Sequence, residues 1–329
     1  MSKNIVVCCD GTGNEYNSNN TNVVKLYHII KKDPQSQIAY YDPGVGTFSS
    51  AAAFTKTAKF ITKLWGLAFA YGITNNIEDA YEYLMDKFEE GDKVFLFGFS
   101  RGAFTVRALA GMLKKCGLLQ KGSNNLIPYA SKMYRFGDSE VAEGFKQTFS
   151  RECNPHFIGV WDTVKSVGLI RRRKFPNAEL NKDVKFGRHA ISIDEVRSKY
   201  RPNLWDEPAC KGQSIKQVWF AGVHSDVGGS YPEHGLSDIA LEWIIDEAEK
   251  CGLEIDEKRY NEEKRCKKIA PNHKDKLHNP LFPFWWILGW WKRKVSKEAL
   301  IHPSVFDRIR DVKNYKPKNL SSHNRIGKK

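Results

Sequence analysis

Short apolar runs alternate with stretches of helical periodicity along most of the chain, and most runs end at Asp, Gly or Pro. Buried strands are predicted over 4–9, 37–41, 93–97, 155–161 and 218–223. Helices are predicted over 22–31, 101–115 and 237–251, and over 51–88 in two pieces divided near Gly72. This alternation of strands and helices predicts an α/β fold, with a mostly parallel central sheet flanked by helices on both faces.

Three regions depart from this rhythm. Residues 165–216 contain several prolines and the basic run 171–174, and they are interpreted as an insertion or lid. Residues 279–294 read NPLFPFWWILGWWKRK, an aromatic segment followed by basic residues. The residues from 313 to 329 are polar and basic, which predicts a flexible tail. We therefore expect one domain over 1–312, followed by that tail.

Composition narrows the class of protein. Hydrophobic residues make up 41% of the 329 residues, which is enough for a real core. The net charge of +14 favours an anionic partner such as nucleic acid or an anionic membrane surface. The seven cysteines form no CxxC pair, as expected in a reducing compartment. No signal peptide and no membrane-spanning segment is expected.

The stretch Gly98-Phe99-Ser100-Arg101-Gly102 carries the first candidate chemistry. It lies between a predicted strand and a predicted helix, where a G-x-S-x-G turn presents a nucleophilic serine. The flanking positions require glycine because side chains there would collide with neighbouring backbone. Ser100 is the candidate nucleophile; the alternative is a tight turn that needs only small residues.

A serine hydroxyl needs a base, and the base needs an orienting acid. Asp162 follows the predicted strand 155–161, and His224 follows the strand 218–223. In a parallel sheet these strand ends lie at the same edge as Ser100. The sequence therefore predicts His224 as the base and Asp162 as the acid, with His302 as the alternative base and Asp226 as a lesser rival for the acid.

An oxyanion needs hydrogen-bond donors, and two backbone segments are candidates. The N–H of Arg101 follows the nucleophile directly. The loop after the first strand, DGTGN, offers Gly11 or Thr12 as the second donor. No metal and no cofactor is predicted, since no cluster of ligand-type residues supports one.

Four ordered stretches resemble the motifs of one α/β-hydrolase family: CCDGTGN, VFLFGFSRGAFTVRALAGML, GVWDTVKSVG and FAGVHSDVGGSYPEHGLSDIALEW. This family of uncharacterised bacterial proteins includes the catalytic domain of type VI secretion phospholipase effectors. The resemblance runs over about 3–245, and again weakly over 301–308. It implies an α/β-hydrolase fold and lipid ester hydrolysis by a Ser–Asp–His triad, which fall on Ser100, Asp162 and His224. The large membrane-anchoring domain of the long effectors is not found in this sequence.

The aromatic segment suggests how lipid is met. Trp285, Trp286, Trp290 and Trp291 lie beside the cations 292–294, a composition typical of a membrane interface. A buried aromatic cluster or a dimer contact is the alternative interpretation.

The sequence thus predicts a phospholipase A-like serine hydrolase that associates peripherally with an anionic phospholipid surface. As a member of the bacterial family it is expected to be made in the cytoplasm, with secretion by a signal-peptide-independent route open and an immunity or regulatory protein as a further candidate partner. Two alternatives stay open: an esterase or thioesterase acting on a soluble substrate, and an inactive hydrolase scaffold that binds nucleic acid or anionic surfaces. No nucleic-acid motif supports the last, so no nucleic-acid partner is expected.

Overall fold

The computed structural model describes residues 2–11, 18–44, 58–164, 182–206, 209–279 and 291–320, with backbone only for 58–71 and 199. The strands are β1 Asn4–Cys9, β2 Gln37–Asp42, β3 Lys93–Phe99, β4 Leu118–Leu119, β5 Ser150–Arg151, β6 Pro155–Trp161, β7 Phe186–Ser192, β8 Ser214–Phe220 and β9 Leu300–Ile301. The helices are α1 Asn22–Ile29, α2 Ala58–Lys87, α3 Arg101–Cys116, α4 Ile127–Phe136, α5 Ser139–Phe149, α6 His224–Gly228, α7 Gly235–Glu249, α8 Glu257–Arg265 and α9 Pro303–Asp311.

Seven strands form one sheet in the order β2-β1-β3-β6-β7-β8-β9, and every neighbouring pair is parallel. The short strands β4 and β5 form a separate antiparallel pair. The predicted α/β architecture with a parallel central sheet is confirmed. All seven carboxyl ends point to one edge, where ligands and catalytic groups gather in folds of this kind.

The core has two main layers, one on each face of the sheet. Along β1 the side chains alternate: Ile5 and Val7 pack toward α2 and α3, whereas Val6 and Cys8 pack toward α1 and α7. A third cluster forms where α9 and Tyr315 cover β7 and β8. Among the helices of the described ranges, none is long and apolar enough to cross a bilayer.

Three predictions about segments need correction. Residues 58–87 form one continuous helix rather than two pieces divided near Gly72. The insertion predicted over 165–216 contains β7, which lies in the middle of the sheet; residues 165–181 and 207–208 lie outside the described residues. The tail predicted from 313 onward is packed at its start, where Tyr315 and Leu320 are 8% and 4% exposed, and 321–329 lie outside the described residues.

Candidate active site

Ser100 occupies a strained turn between β3 and α3. Its backbone angles are φ 57° and ψ −114°, a region that non-glycine residues rarely adopt. A Cβ at Gly98 would lie 2.5 Å from the carbonyl oxygen of Gly102, and one at Gly102 would collide with the carbonyl of Cys9. Both glycines are therefore required by close backbone approach, as the sequence predicts, and the turn matches the geometry of a nucleophile elbow.

The backbone around Ser100 fixes this turn. The Ser100 N–H donates to the carbonyl of Trp161 at 3.1 Å, and the Ser100 carbonyl accepts from Phe104 at 3.3 Å, which starts α3. Arg101 is the first residue of that helix, so its N–H lies at the positive end of the helix dipole. This position suits an oxyanion donor next to Ser100.

Of the two candidates for the second donor, Gly11 has another hydrogen-bond partner. The Gly11 N–H donates to Oδ1 of Asp10 at 2.6 Å, and the same carboxylate accepts from Thr21 Oγ1 at 2.6 Å and Tyr41 at 3.0 Å. The Gly11 amide is thus directed at its own neighbour rather than at Ser100. Thr12 lies outside the described residues.

Asp162 follows β6 directly and is completely buried. Its φ of 41° is again in the left-handed region, and its N–H donates to Ala190 of β7 at 2.8 Å. The carboxylate accepts the Ser192 N–H at 2.9 Å and contacts Nδ1 of His224 at 2.6 Å. Since the carboxylate is locked on two sides, it is able to orient an imidazole.

His224 begins α6, a few residues after β8, and is 4% exposed. Nδ1 of its ring is held by Asp162, whereas Nε2 is buried and has no hydrogen-bond partner among the residues that the structure describes. The ring packs between Phe99, with centroids 4.6 Å apart, and the edge of Tyr200 at 4.8 Å. The structure therefore brings the predicted acid and base together.

Two contacts join Ser100 to this pair. Phe99, its neighbour in the chain, touches the His224 ring, and the Ser100 N–H bonds to Trp161, the residue before Asp162. All three candidate catalytic residues thus lie at the carboxyl edge of the sheet, after β3, β6 and β8.

The two rivals have other partners. His302 caps α9: its Nδ1 accepts from the Ser304 N–H at 3.3 Å, and its ring stacks on Phe220 at 4.7 Å. Asp226 contacts Nδ1 of His278 at 2.6 Å rather than His224. The structure brings neither rival to the Asp162–His224 pair.

An arginine that sequence reasoning missed completes the carboxylate's surroundings. The Arg293 guanidinium contacts Asp162 with both terminal nitrogens, Nη1 to Oδ1 at 2.5 Å and Nη2 to Oδ2 at 2.9 Å. Burial alone would raise the pKa of Asp162, but the Arg293 charge and the His224 hydrogen bond hold that pKa well below its usual range. The prediction that the run 292–294 meets lipid is therefore wrong for Arg293, which is 1% exposed.

A second missed group supports the backbone of His224. The His224 N–H donates to Oε2 of Glu195 at 3.2 Å, and this buried carboxylate also pairs with Arg197 at 2.7 Å. Arg197 lies over the ring of Tyr200 at 3.7 Å. Nothing in the local sequence pattern points to these residues, because their roles depend on the loop after β7.

Of the aromatic segment 279–294, the structure describes Asn279 and the residues from Trp291 onward. Trp285, Trp286 and Trp290 lie outside the described residues. Trp291 is partly exposed; its backbone N–H donates to the carbonyl of Val196 at 2.8 Å, and its ring lies 5.0 Å from the Arg201 guanidinium. As for metals, the described ranges contain no group of three or more His, Cys, Asp or Glu side chains suited to hold one.

The chain resembles known proteins in sequence and in structure. Residues 3–247 match the family described as "T6SS, Phospholipase effector Tle1-like, catalytic domain". A curated relative is the uncharacterized protein YEL023C of Saccharomyces cerevisiae, 39% identical over 218 residues. That match covers 60% of this chain and 32% of the yeast protein, so the chain spans about a third of that relative's length.

Two solved structures align at low identity. One is an uncharacterized protein from Pseudomonas aeruginosa, 18% identical with a TM-score of 0.45, covering 77% of this chain and 46% of that one. The other is the Tle1 effector bound to the VgrG spike from the type 6 secretion system, 17% identical with a TM-score of 0.43, covering 70% and 52%. The family match covers well over half of the sequence and confirms the predicted resemblance: the chain belongs to the family of Tle1-like catalytic domains of type VI secretion phospholipase effectors.

Proposed function

We propose that the protein is a serine hydrolase of the phospholipase A type, with Ser100 as nucleophile, His224 as general base and Asp162 as the acid that orients it. The observation that carries the proposal is the His224 ring, held by Asp162 on Nδ1 while Nε2 has no partner among the described residues. An imidazole in this state accepts a proton on Nε2, and Ser100 directly follows Phe99, whose ring contacts the imidazole.

The reaction follows from these roles. The Ser100 hydroxyl gives its proton to His224 Nε2 as Oγ bonds to the acyl carbonyl carbon. The carbonyl oxygen takes the negative charge, which the Arg101 N–H and the N-terminus of α3 would stabilise. When the carbon–oxygen bond of the ester breaks, His224 returns the proton to the leaving alcohol. Water, deprotonated by the same histidine, then releases the fatty acid and restores Ser100.

The substrate class rests on the family and on the chain's charge. The family description names phospholipase effectors, and the net charge of +14 favours an anionic surface. The tryptophans of 285–291 are proposed to lie at that surface, since indole rings beside cations suit the headgroup region. Peripheral association with the membrane, secretion by a signal-peptide-independent route, and an immunity or regulatory partner belong to the same proposal.

Fatty-acid release from vesicles tests the proposal. Vesicles of phosphatidylglycerol and of phosphatidylcholine, and a short soluble ester, are incubated with the wild type, with Ser100→Ala and with the control Ser139→Ala. Ser139 is an exposed serine at the start of α5. We expect Ser100→Ala to reduce release by several orders of magnitude, roughly 10⁶-fold in a worked protease case, and the control to match the wild type.

The outcomes separate the parts of the proposal. Equal release by wild type and Ser100→Ala would exclude the serine mechanism. Turnover of the soluble ester that depends on Ser100, without release from either kind of vesicle, would keep the hydrolase and replace the phospholipid with a soluble substrate.

A further inference from the structure

Arg293 is among the largest fully buried side chains of the described residues, and its guanidinium bonds to Asp162 itself and to backbone near the candidate catalytic pair. Besides Asp162, its guanidinium donates to the carbonyls of Ser192 at 2.9 Å and Tyr200 at 2.6 Å. Four hydrogen bonds thus hold the two terminal nitrogens of the guanidinium, two of them to the carboxylate. Bidentate pairs of this kind restrict geometry more tightly than a lysine ammonium would.

Stability alone explains this arrangement poorly. Taking a carboxylate and a guanidinium out of water costs several kcal/mol for each ion, and well-packed apolar residues often replace such a pair without loss. The Arg293–Asp162 pair has a second effect, however, because Asp162 Oδ2 is the atom that His224 Nδ1 contacts. Any rotation of the carboxylate would turn the imidazole with it.

We propose that Arg293 is a positioning residue of the active site: it holds the Asp162 carboxylate in the orientation that aims His224 Nε2 at Ser100, and its charge balances the carboxylate beside the base. This inference rests on the proposed hydrolase function. Arg293 lies outside residues 3–247, the part that matches the family, so the C-terminal part of the chain completes the site.

The C-terminal part holds Arg293 in place through its backbone. Asn319 Nδ2 donates to the carbonyls of Arg293 at 3.3 Å and Ile193 at 2.8 Å, which ties the last described residues to the loop after β7. The Tyr315 hydroxyl donates to Asp194 of the same loop at 2.9 Å. These bonds hold the backbone at Arg293 against the loop after β7, so the folded backbone fixes where the Arg293 side chain starts.

The charges around His224 set the expected sign of the effect. Besides Asp162 itself, the titratable and charged groups that face the His224–Asp162 pair are Arg293, Glu195, Arg197, Tyr200 and His189. Arg293 is the cation in direct contact with Asp162, so its removal leaves the carboxylate charge less balanced. The protonated form of His224 is then more stable, and a protonated imidazole cannot act as the base. As the pH is lowered, activity should therefore be lost at a higher pH than in the wild type.

Arg293→Met removes the charge at similar length, and Arg293→Lys keeps the charge without the fork. The matched control is Arg188→Met, since Arg188 is also a buried arginine, paired with Glu247 at 2.6 Å in the amino-terminal half of β7. For a soluble ester, kcat and kcat/KM are both measured as a function of pH. The folded fraction of each variant is checked by circular dichroism.

We expect Arg293→Met to reduce kcat roughly 100-fold, as a misplaced catalytic group does, and to move the acid-side midpoint up by about one pH unit. Arg293→Lys should lose part of the rate but keep the midpoint. Arg188→Met should change neither, whatever it does to stability. A folded Arg293→Met protein with an unmoved midpoint would overturn the proposal; if that variant does not fold, Arg293→Lys with full wild-type kcat would overturn it.

A second readout does not require activity. In the Ser100→Ala protein, the proton between His224 Nδ1 and Asp162 is followed by NMR, with and without Arg293→Met or Arg293→Lys. We expect its resonance to shift or disappear when Arg293 is replaced, and an unchanged resonance would contradict the positioning role. If the wild type showed no Ser100-dependent turnover, the proposed function would fail while this measurement still decided the role of Arg293.

Discussion

Two histidine–carboxylate pairs each have one member on α6, His224 of the buried pair with Asp162 and Asp226 of the partly buried pair with His278, and they differ at one atom. His224 contacts Asp162 and His278 contacts Asp226, each through Nδ1 at 2.6 Å. The Nε2 atom of His278 also has a partner, Glu233 at 3.2 Å, and its ring stacks on Tyr231 at 3.9 Å. Nε2 of His224 has no such partner in the described part of the chain. A short bond to a carboxylate is therefore common to both histidines, and the state of the second nitrogen separates the proposed base from His278.

The carboxylates of the two pairs also differ in their surroundings. Asp162 faces the fixed charge of Arg293, and its pKa is held below the usual range despite burial. Burial raises the pKa of Asp226, and the hydrogen bonds from Val223 and His278 only partly oppose this. Asp162 is thus kept ionised as an orienting group requires, whereas Asp226 is a structural partner that links α6 to the segment before residue 280.

Replacing the histidine of each pair gives the largest expected difference, which is in the rate of ester hydrolysis. His224→Asn should remove nearly all ester hydrolysis, roughly a 10⁶-fold loss by analogy with the worked protease triad. His278→Asn should leave activity within about tenfold and lower the free energy of unfolding by about 1–3 kcal/mol, because the buried Asp226 carboxylate loses a side-chain partner. Steady-state kinetics on a soluble ester, with urea unfolding of both variants, measures the two effects.

The matched histidines make this comparison easy to contradict. Both variants carry the same substitution on a ring that contacts a buried carboxylate, and the two side chains are 6% and 12% exposed, so general damage to the fold should affect them alike. If His278→Asn lost as much activity as His224→Asn, the unpartnered nitrogen would not be the distinguishing feature.

The carboxylates should differ in stability, with opposite dependence on pH. At neutral pH, Asp162→Asn leaves the buried Arg293 charge unpaired and should cost about 3–5 kcal/mol, whereas Asp226→Asn should cost about 1–3 kcal/mol. Because the folded pKa of Asp162 is lowered, its contribution is present above the ordinary value of 3.8 and is lost as the pH falls below it. Because the folded pKa of Asp226 is raised, its contribution is present below 3.8 and is lost as the pH rises through the folded value.

Urea unfolding from about pH 7 to about pH 3 measures these slopes. The cost of Asp162→Asn should shrink in acid, and the cost of Asp226→Asn should shrink as the pH rises. Parallel slopes would mean that the two carboxylates have the same electrostatic surroundings.

The sequence predicted the parts of the site that local pattern determines. The strand bounds of β1 and β6 match the predictions residue for residue, and Asp162 and His224 meet because parallel strands bring their carboxyl ends to one edge. The glycines beside Ser100 are needed for the steric reason that the motif implies. These features follow from hydrophobic periodicity and turn chemistry, which are local.

The missed features depend on distant partners. β7 reads FGRHAIS, where Arg188 and His189 interrupt the apolar pattern; both are buried because Glu247 pairs with the first and the Thr163 N–H bonds to the second. Arg293 lies 131 residues from Asp162 in a run of three cations that resembles a solvated surface. No local signal distinguishes such a residue from its exposed neighbours Lys292 and Lys294.

A third histidine gives the smallest expected effect. His302 already has its structural role as the N-cap of α9, so His302→Ala should cost about 1 kcal/mol of stability and His302→Asn less, because asparagine is a good cap. Burial lowers the pKa of His302 to about 4, so its contribution is present above the ordinary value of 6.5 and is lost as the pH falls toward the folded value. His302→Asn has no imidazole to protonate. The difference in the free energy of unfolding between this variant and the wild type should therefore shrink as the pH falls from 6.5 to about 4. Ester hydrolysis should stay at the wild-type rate in both variants, and a loss comparable to that of His224→Asn would make His302 the base instead.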